Sequence, residues 1–111
     1  MVSGTIALRS ARIRYGPLGA APYVGAMPEI SRFFGIIVAM FHRDHNPPHI
    51  HAFHGEYHIT VEVRTGAVTG SFPPRALGLL LEWIHVHRME LLENWERAQA
   101  GQSVRPIAPL E

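Results

Sequence analysis

Hydrophobic residues follow a strand-like pattern from residue 35 to residue 71. The first segment is a continuous, partly β-branched apolar run, typical of a strand covered on both faces, and the later segments alternate apolar and polar positions. Tight turns are expected at His54-Gly55 and Thr65-Gly66, where glycine tolerates unusual backbone angles. The predicted strands are Gly35–Phe41, His49–Phe53, Tyr57–Arg64 and Ala67–Ser71. The pattern therefore predicts a four-stranded antiparallel meander.

After Pro73-Pro74 the apolar period becomes that of an amphipathic helix. Pro74 suits the first helical position, where a missing N–H group costs no hydrogen bond. The apolar stripe consists of Leu77, Leu80, Leu81, Ile84, Leu91, Leu92 and Trp95. Arg88 interrupts the stripe, so we expect one long helix bent near His87, or two short helices, ending before Gly101. The predicted fold is an α+β domain with the C-terminal helices packed on one face of the sheet.

Composition fits one small domain. The chain has 111 residues, of which 47% are hydrophobic and 17% are charged. No apolar run approaches the roughly 20 residues of a membrane-spanning helix. Cysteine is absent, which excludes disulfides and thiolate metal ligands. With no secretory signal pattern, we expect a cytoplasmic protein without a membrane partner.

Residues 1–26 differ in composition from residues 27–111. They contain three arginines, no acidic residue and no helix or strand period. Three explanations stay open: a disordered tail, a start assigned too early in a chain that natively begins at Met27, and an organelle-targeting segment. The early start is preferred, and residues 27–111 form the single histidine-rich domain. This domain has seven arginines and nine acidic residues, so it lacks the overall basic charge typical of nucleic-acid binding.

Six histidines lie between residues 42 and 58, and hairpin geometry predicts which of them share a face. A two-residue turn at His54-Gly55 pairs His51 with His58, and the next turn pairs Val63 with Val68. Directly paired side chains share a face of the sheet. The apolar face is predicted to carry Ile50, Ala52, Tyr57, Ile59, Val61 and Val63. The opposite face is predicted to carry His49, His51, Phe53, Glu56, His58, Thr60 and Glu62.

This histidine face supports three interpretations. Neutral imidazole binds zinc, copper, iron and nickel, and three protein ligands with an open position are the pattern of a catalytic metal site. Paired histidines also support metal-free acid–base cleavage of RNA, because one ring accepts a proton while another donates one. The third interpretation is a solvated strand face without chemistry. His85 and His87, in the helical region, are expected to be surface or packing residues.

Three segments resemble the small prokaryotic proteins known as domain of unknown function 4160. They are M-P-E-I-S-R-F-F-G-I-I (27–37), H-R-D-H-N-P-P-H-I-H-A (42–52) and L-E-W-I-H-V-H-R-M-E-L-L-E-N-W (81–95). Members begin at the equivalent of Met27, which supports the early start. Their genes often lie beside those of a second small family, as in toxin–antitoxin pairs, so the resemblance implies a protein partner encoded nearby. The positions that match the family hallmark are Asp44, His45, Asn46, Pro47, Pro48, His49 and His51.

The resemblance narrows the histidine set, because His54 and His58 fall outside the hallmark. The candidate catalytic or metal-ligating residues are His45, His49 and His51, with His58 and Glu62 as weaker metal candidates. The expected cofactor is a divalent transition metal such as zinc. The preferred function is a component of a toxin–antitoxin-like two-gene module acting through these histidines. The alternatives are a metal-dependent or acid–base RNA hydrolase, for which we expect a cleft beside the histidines, and a non-enzymatic partner-binding or regulatory domain, for which we expect an exposed apolar patch.

Overall fold

The computed structural model describes residues 28–111 and shows an α+β fold. The strands are β1 (Glu29–Phe33), β2 (Ile36–Ala39), β3 (His49–His54), β4 (Tyr57–Glu62) and β5 (Val68–Gly70). They form one antiparallel sheet in the order β1-β2-β3-β4-β5. The helices are α1 (Pro74–Val86) and α2 (Arg88–Gln99). The predicted class and meander order are confirmed, whereas the predictions for residues 1–26 lie outside the described residues.

Strand β1 corrects the predicted number of strands from four to five. It pairs with β2 through a tight turn at Phe34-Gly35, where both residues have positive φ. The pairing register shifts between Glu29 and Ser31, and the two adjacent residues Ile30 and Ser31 are both buried. This irregularity removes the apolar–polar alternation on which the prediction of strands relied.

The β3–β4 hairpin has the predicted faces, but its register differs by two residues from the prediction. The turn is Gly55-Glu56, so His51 pairs with Thr60 and not with His58. A turn that needs positive φ at its first position alone is satisfied by Gly55, whose φ is 60°. The predicted turn would have placed His54 at that first position. Because an offset of two residues leaves each side chain on its original side, the predicted faces are confirmed.

The β4–β5 connection shows the same kind of offset. Val61, not Val63, pairs with Val68, because residues 63–67 form a longer loop than the predicted two-residue turn. A backbone hydrogen bond from Gly66 N to the oxygen of Glu62 closes this loop at 2.8 Å. Glu62 therefore ends β4 on the face predicted for it.

A single apolar core joins the sheet to the helices. The hairpin contributes the fully buried Ile50 and Val61, and the helices contribute Trp83 and Trp95. Burying one large apolar side chain stabilises a fold by about 1.5–3 kcal/mol. The predicted apolar face of the hairpin thus forms the sheet side of the core.

The helical region consists of two helices that meet at His87, which is one of the two predicted alternatives. Pro74 occupies the first turn of α1, as predicted. Arg88 begins α2, and its Nε donates to the backbone oxygen of Val63 at 2.9 Å. Among residues 28–111, no helix is long and apolar enough to cross a membrane.

Candidate metal-binding site

The loop between β2 and β3 carries the acidic residue of the site, and α2 holds this loop. The side-chain amide of Gln99 donates to the backbone oxygen of Asp44 at 2.8 Å. The backbone N–H of Arg43 donates to the oxygen of Ala98 at 3.2 Å. Just before β3, the backbone oxygen of Pro48 accepts a hydrogen bond from the backbone N–H of Val63, in the loop after β4. These contacts fix the path of the loop, whose carboxylate faces the histidines of β3.

Three side chains converge at this position, namely those of Asp44, His49 and His51. The Nε2 atom of His49 lies 2.9 Å from Asp44 Oδ2, and the Nε2 atom of His51 lies 3.2 Å from the same oxygen. One ligand-type atom from each residue lies within 4.8 Å of the others. Residues 49 and 51 share a face because side chains alternate along a strand. The side chains of all three residues are at most 16% exposed, so the cluster is largely shielded from bulk water.

The backbone of the loop sets the orientation of the His49 ring. Its Nδ1 atom lies 2.8 Å from the backbone oxygen of Pro47. Because a carbonyl oxygen only accepts, Nδ1 carries the proton and donates it to this bond. The ring also packs against Trp95 of α2, with the ring centroids 5.2 Å apart. His49 therefore presents Nε2 to the carboxylate of Asp44 in a fixed orientation.

His51 is held by another histidine and by aromatic stacking. Its Nδ1 atom lies 3.1 Å from Nε2 of His58, so one of these nitrogens donates to the other. Phe41 stacks on the His51 ring at 4.1 Å, and Phe53 stacks on the His58 ring at 4.5 Å. The two histidine rings lie within 22° of parallel, with centroids 5.3 Å apart. This stack of four rings fixes the plane in which His51 approaches Asp44.

An open cleft of about 510 Å³ lies beside the cluster. It is lined by Phe41, Asp44, His45, Pro47, His49, His51, Thr60, Glu62, Ala67 and Thr69. This volume falls in the range of small-molecule sites. Within residues 28–111, the exposed large hydrophobic residues, Phe34, Tyr57, Val86 and Met89, do not line it. The histidines therefore lie beside an open cleft, as expected under the enzyme alternative.

The three groups of the cluster shift one another's pKa, and the shifts differ in direction. Burial would raise the pKa of Asp44, but hydrogen bonds from His49 and His51 and the charge of His49 outweigh it and hold that pKa well below its usual range. Burial would lower the pKa of His49, yet the hydrogen bond to Asp44 and the acceptor at Pro47 raise it overall. For His51, burial prevails and lowers the pKa, although Asp44 opposes this effect. The cluster therefore favours an ionised Asp44, a protonated His49 and a neutral His51.

The other candidates from the sequence surround the cluster. His45 has a side chain that is 83% exposed, with Nδ1 3.0 Å from Asp44 Oδ1 and its ring 5.1 Å from that of His49. His58 lies behind His51, and Glu62 pairs with His49 and lines the cleft. The geometry thus brings His49 and His51 together with Asp44, while His45 lies at the rim.

Asp44 belongs to the converging set but was not among the predicted ligands. The resemblance places it in the family hallmark, whereas the predicted ligands were histidines and Glu62. The signal in the sequence that could have indicated this cluster is Asp44 followed, after four residues, by the His-x-His pair His49 and His51. The remaining clustered histidines point elsewhere: His54 Nδ1 lies 3.0 Å from the oxygen of Gly35, and His42 Nε2 lies 3.1 Å from the oxygen of Gln102.

The fold and site together define a small α+β domain with two histidines and one carboxylate beside a cleft. A model of the family described as "Domain of unknown function (DUF4160)" matches residues 35–96. The chain belongs to this family, and the three converging residues lie within the matched segment. Comparisons with curated proteins and with solved structures found no match.

Proposed function

We propose that this protein binds a divalent transition metal, with zinc as the first candidate, through Asp44, His49 and His51. The observation that carries the proposal is the orientation of His49, whose Nδ1–H is held by the oxygen of Pro47 while Nε2 faces the carboxylate. A hydrogen bond from the outer ring nitrogen to a carbonyl is the usual way in which proteins orient a metal-binding histidine. Two histidines and one carboxylate form the ligand set of several zinc hydrolases and non-haem iron enzymes.

The distances fit this ligand set. Tetrahedral zinc, with bonds of about 2.0–2.2 Å, places neighbouring ligand atoms about 3.3 Å apart. The two imidazole nitrogens lie 2.9 and 3.2 Å from the oxygen of Asp44. Both distances are close to that spacing, and a metal bound there would replace the proton shared by His49 and Asp44.

The cleft supports hydrolysis as the reaction class. Three protein ligands leave a coordination position for water, and a metal ion lowers the pKa of that water into the neutral range. No arginine lines the cleft within the described part of the chain, so a long RNA backbone has less support than a smaller substrate. The toxin–antitoxin-like context and the protein partner rest on the family resemblance.

Calorimetric titration of the metal-free protein with zinc, nickel and copper tests the proposal. We expect one metal ion to bind per chain and the His49→Ala/His51→Ala double variant to lose binding. His85→Ala is the control, because this exposed histidine lies on α1 outside the cluster. Equal and weak binding by the wild type and the double variant would contradict the metal site. Hydrolysis of p-nitrophenyl acetate and of bis(p-nitrophenyl) phosphate by the zinc-loaded protein then tests the reaction class.

A further inference from the structure

Helix α2 contacts the site through three residues in its last two turns, Trp95, Ala98 and Gln99. The ring of Trp95 packs on His49, and the oxygen of Ala98 accepts from the backbone N–H of the residue before Asp44. The side-chain amide of Gln99 donates to the oxygen of Asp44 itself at 2.8 Å. Of these contacts, only the bond from Gln99 ends on the residue that supplies the carboxylate.

The loop needs such a contact because part of its backbone is unfavourable. Arg43 has a φ of 54°, in the left-handed region that residues with a side chain rarely adopt. A residue stays in this region only when the surrounding structure holds it there. Asp44 follows Arg43 directly, and a short aspartate side chain has two torsions, so its carboxylate moves with its backbone.

We propose that Gln99 is a positioning residue for the metal site. Its amide holds the backbone of Asp44 so that the carboxylate stays within reach of both imidazoles. This inference rests on the proposed metal-binding function. Gln99 lies beyond the segment matched by the family model, so this contact adds a residue from outside residues 35–96 to the site.

The competing explanation is that Gln99 only ties a helix to a loop. The same helix offers a matched control in Asn94, whose amide donates to the oxygen of Arg105 and accepts from its backbone N–H, both at 2.8 Å. Asn94 is 2% exposed and joins α2 to the C-terminal segment instead of the metal loop. Its loss should therefore lower stability at least as much as the loss of Gln99, without acting on Asp44.

The experiment compares the wild type with Gln99→Met and Asn94→Leu. The measurements are zinc affinity by calorimetry, the visible absorption spectrum of the cobalt-loaded protein, and the urea midpoint of unfolding. We expect Gln99→Met to weaken zinc binding about tenfold and to change the cobalt spectrum, as typical for a contact behind a metal ligand. Asn94→Leu should lower the urea midpoint at least as far and leave affinity within twofold and the spectrum unchanged. If either variant does not fold, Gln99→Glu or Asn94→Asp replaces it.

The outcomes separate the inference from the function on which it rests. A wild type that binds neither zinc nor cobalt would overturn the proposed function and this inference with it. Binding by the wild type, with affinity and spectrum unchanged in Gln99→Met, would overturn the positioning role alone. Equal changes in Gln99→Met and Asn94→Leu would also overturn it, because the effect would then follow from lost stability.

Discussion

The two faces of the β3–β4 hairpin arise from the same alternating segments, yet different contacts keep them in place. Ile50 and Val61 pair across the strands and are fully buried. Their burial requires close apolar packing but no particular neighbouring atom. His49 and His51 are nearly as buried, but each ring depends on particular atoms at particular distances. The apolar face therefore depends on burial, whereas the arrangement of the histidine face depends on individual hydrogen bonds.

The largest expected effect on stability comes from the apolar face. Ile50→Ala should lower the free energy of unfolding by about 3–4 kcal/mol, because it removes a fully buried side chain and leaves a cavity. Zinc affinity of the remaining folded protein should stay within about threefold. Urea unfolding and calorimetry measure the two quantities, and Ile50→Val is the milder control, with a cost of about 1 kcal/mol. A parallel loss of affinity would show that the two faces are not independent.

On the histidine face, Asp44→Asn should have the opposite profile. The amide keeps the shape of the carboxylate but loses its charge, so we expect zinc affinity to fall about 100-fold, or about 2.7 kcal/mol. The free energy of unfolding should fall less, by about 1–2 kcal/mol, since two charge-assisted hydrogen bonds are weakened. Glu62→Gln is the matched control, because Glu62 lines the cleft without belonging to the converging set. Equal affinities of the two variants would argue against Asp44 as a ligand.

A smaller effect is expected from the residue behind His51. His58→Phe preserves a ring between His51 and Phe53 but removes the nitrogen that bonds to His51 Nδ1. Zinc affinity should fall about tenfold, because the orientation of the ligand is then less fixed. His58→Gln, which can again accept a hydrogen bond, should recover part of the loss. Unchanged affinity in His58→Phe would show that stacking alone orients His51.

Alternation along the strands made both faces predictable, even though the registers were wrong by two residues. Side-chain direction has a period of two, so His51 stays on its face whether it pairs with His58 or with Thr60. The turn between β3 and β4 was harder to predict, because a two-residue turn that contains Gly55 can be His54-Gly55 or Gly55-Glu56. Strand β1 was not predicted, because the register shift between Glu29 and Ser31 interrupts the alternation of apolar and polar residues that identifies a strand.

The site was predictable only in part, for a similar reason. His49 and His51 lie on a regular strand, so their shared direction follows from sequence spacing. Asp44 and His45 lie in a loop, where neighbouring residues follow no fixed period. The loop backbone turns the Asp44 carboxylate toward the histidines and leaves the His45 side chain 83% exposed. Contacts from α2, more than fifty residues away in sequence, hold that arrangement and could not be read from the local pattern.

The smallest expected effect is the pH dependence of stability in the metal-free protein, which tests the charge state of His49. The pKa of His49 is raised in the folded protein, chiefly because the bond to Asp44 outweighs burial, so the folded state binds this proton more tightly than the unfolded chain. The resulting stability is fully present below about pH 6.5, the ordinary pKa of histidine, and is lost as pH rises through the raised pKa. The stability advantage of the wild type over His49→Gln should therefore shrink between pH 6 and pH 9. Asp44 does not change this trend, because its lowered pKa keeps it ionised throughout the window.

Zinc affinity should change with pH in the opposite direction. The proton that His49 shares with Asp44 must leave before a metal takes its place, so zinc should bind more tightly at pH 8 than at pH 6. Urea unfolding of both proteins, and calorimetry of the wild type, at pH 6, 7, 8 and 9 measure the two trends. A stability advantage that grows with pH would mean that His49 is neutral in the folded protein. In that case the contact with Asp44 would not be an ion pair, and the histidine face would be held together by neutral hydrogen bonds instead.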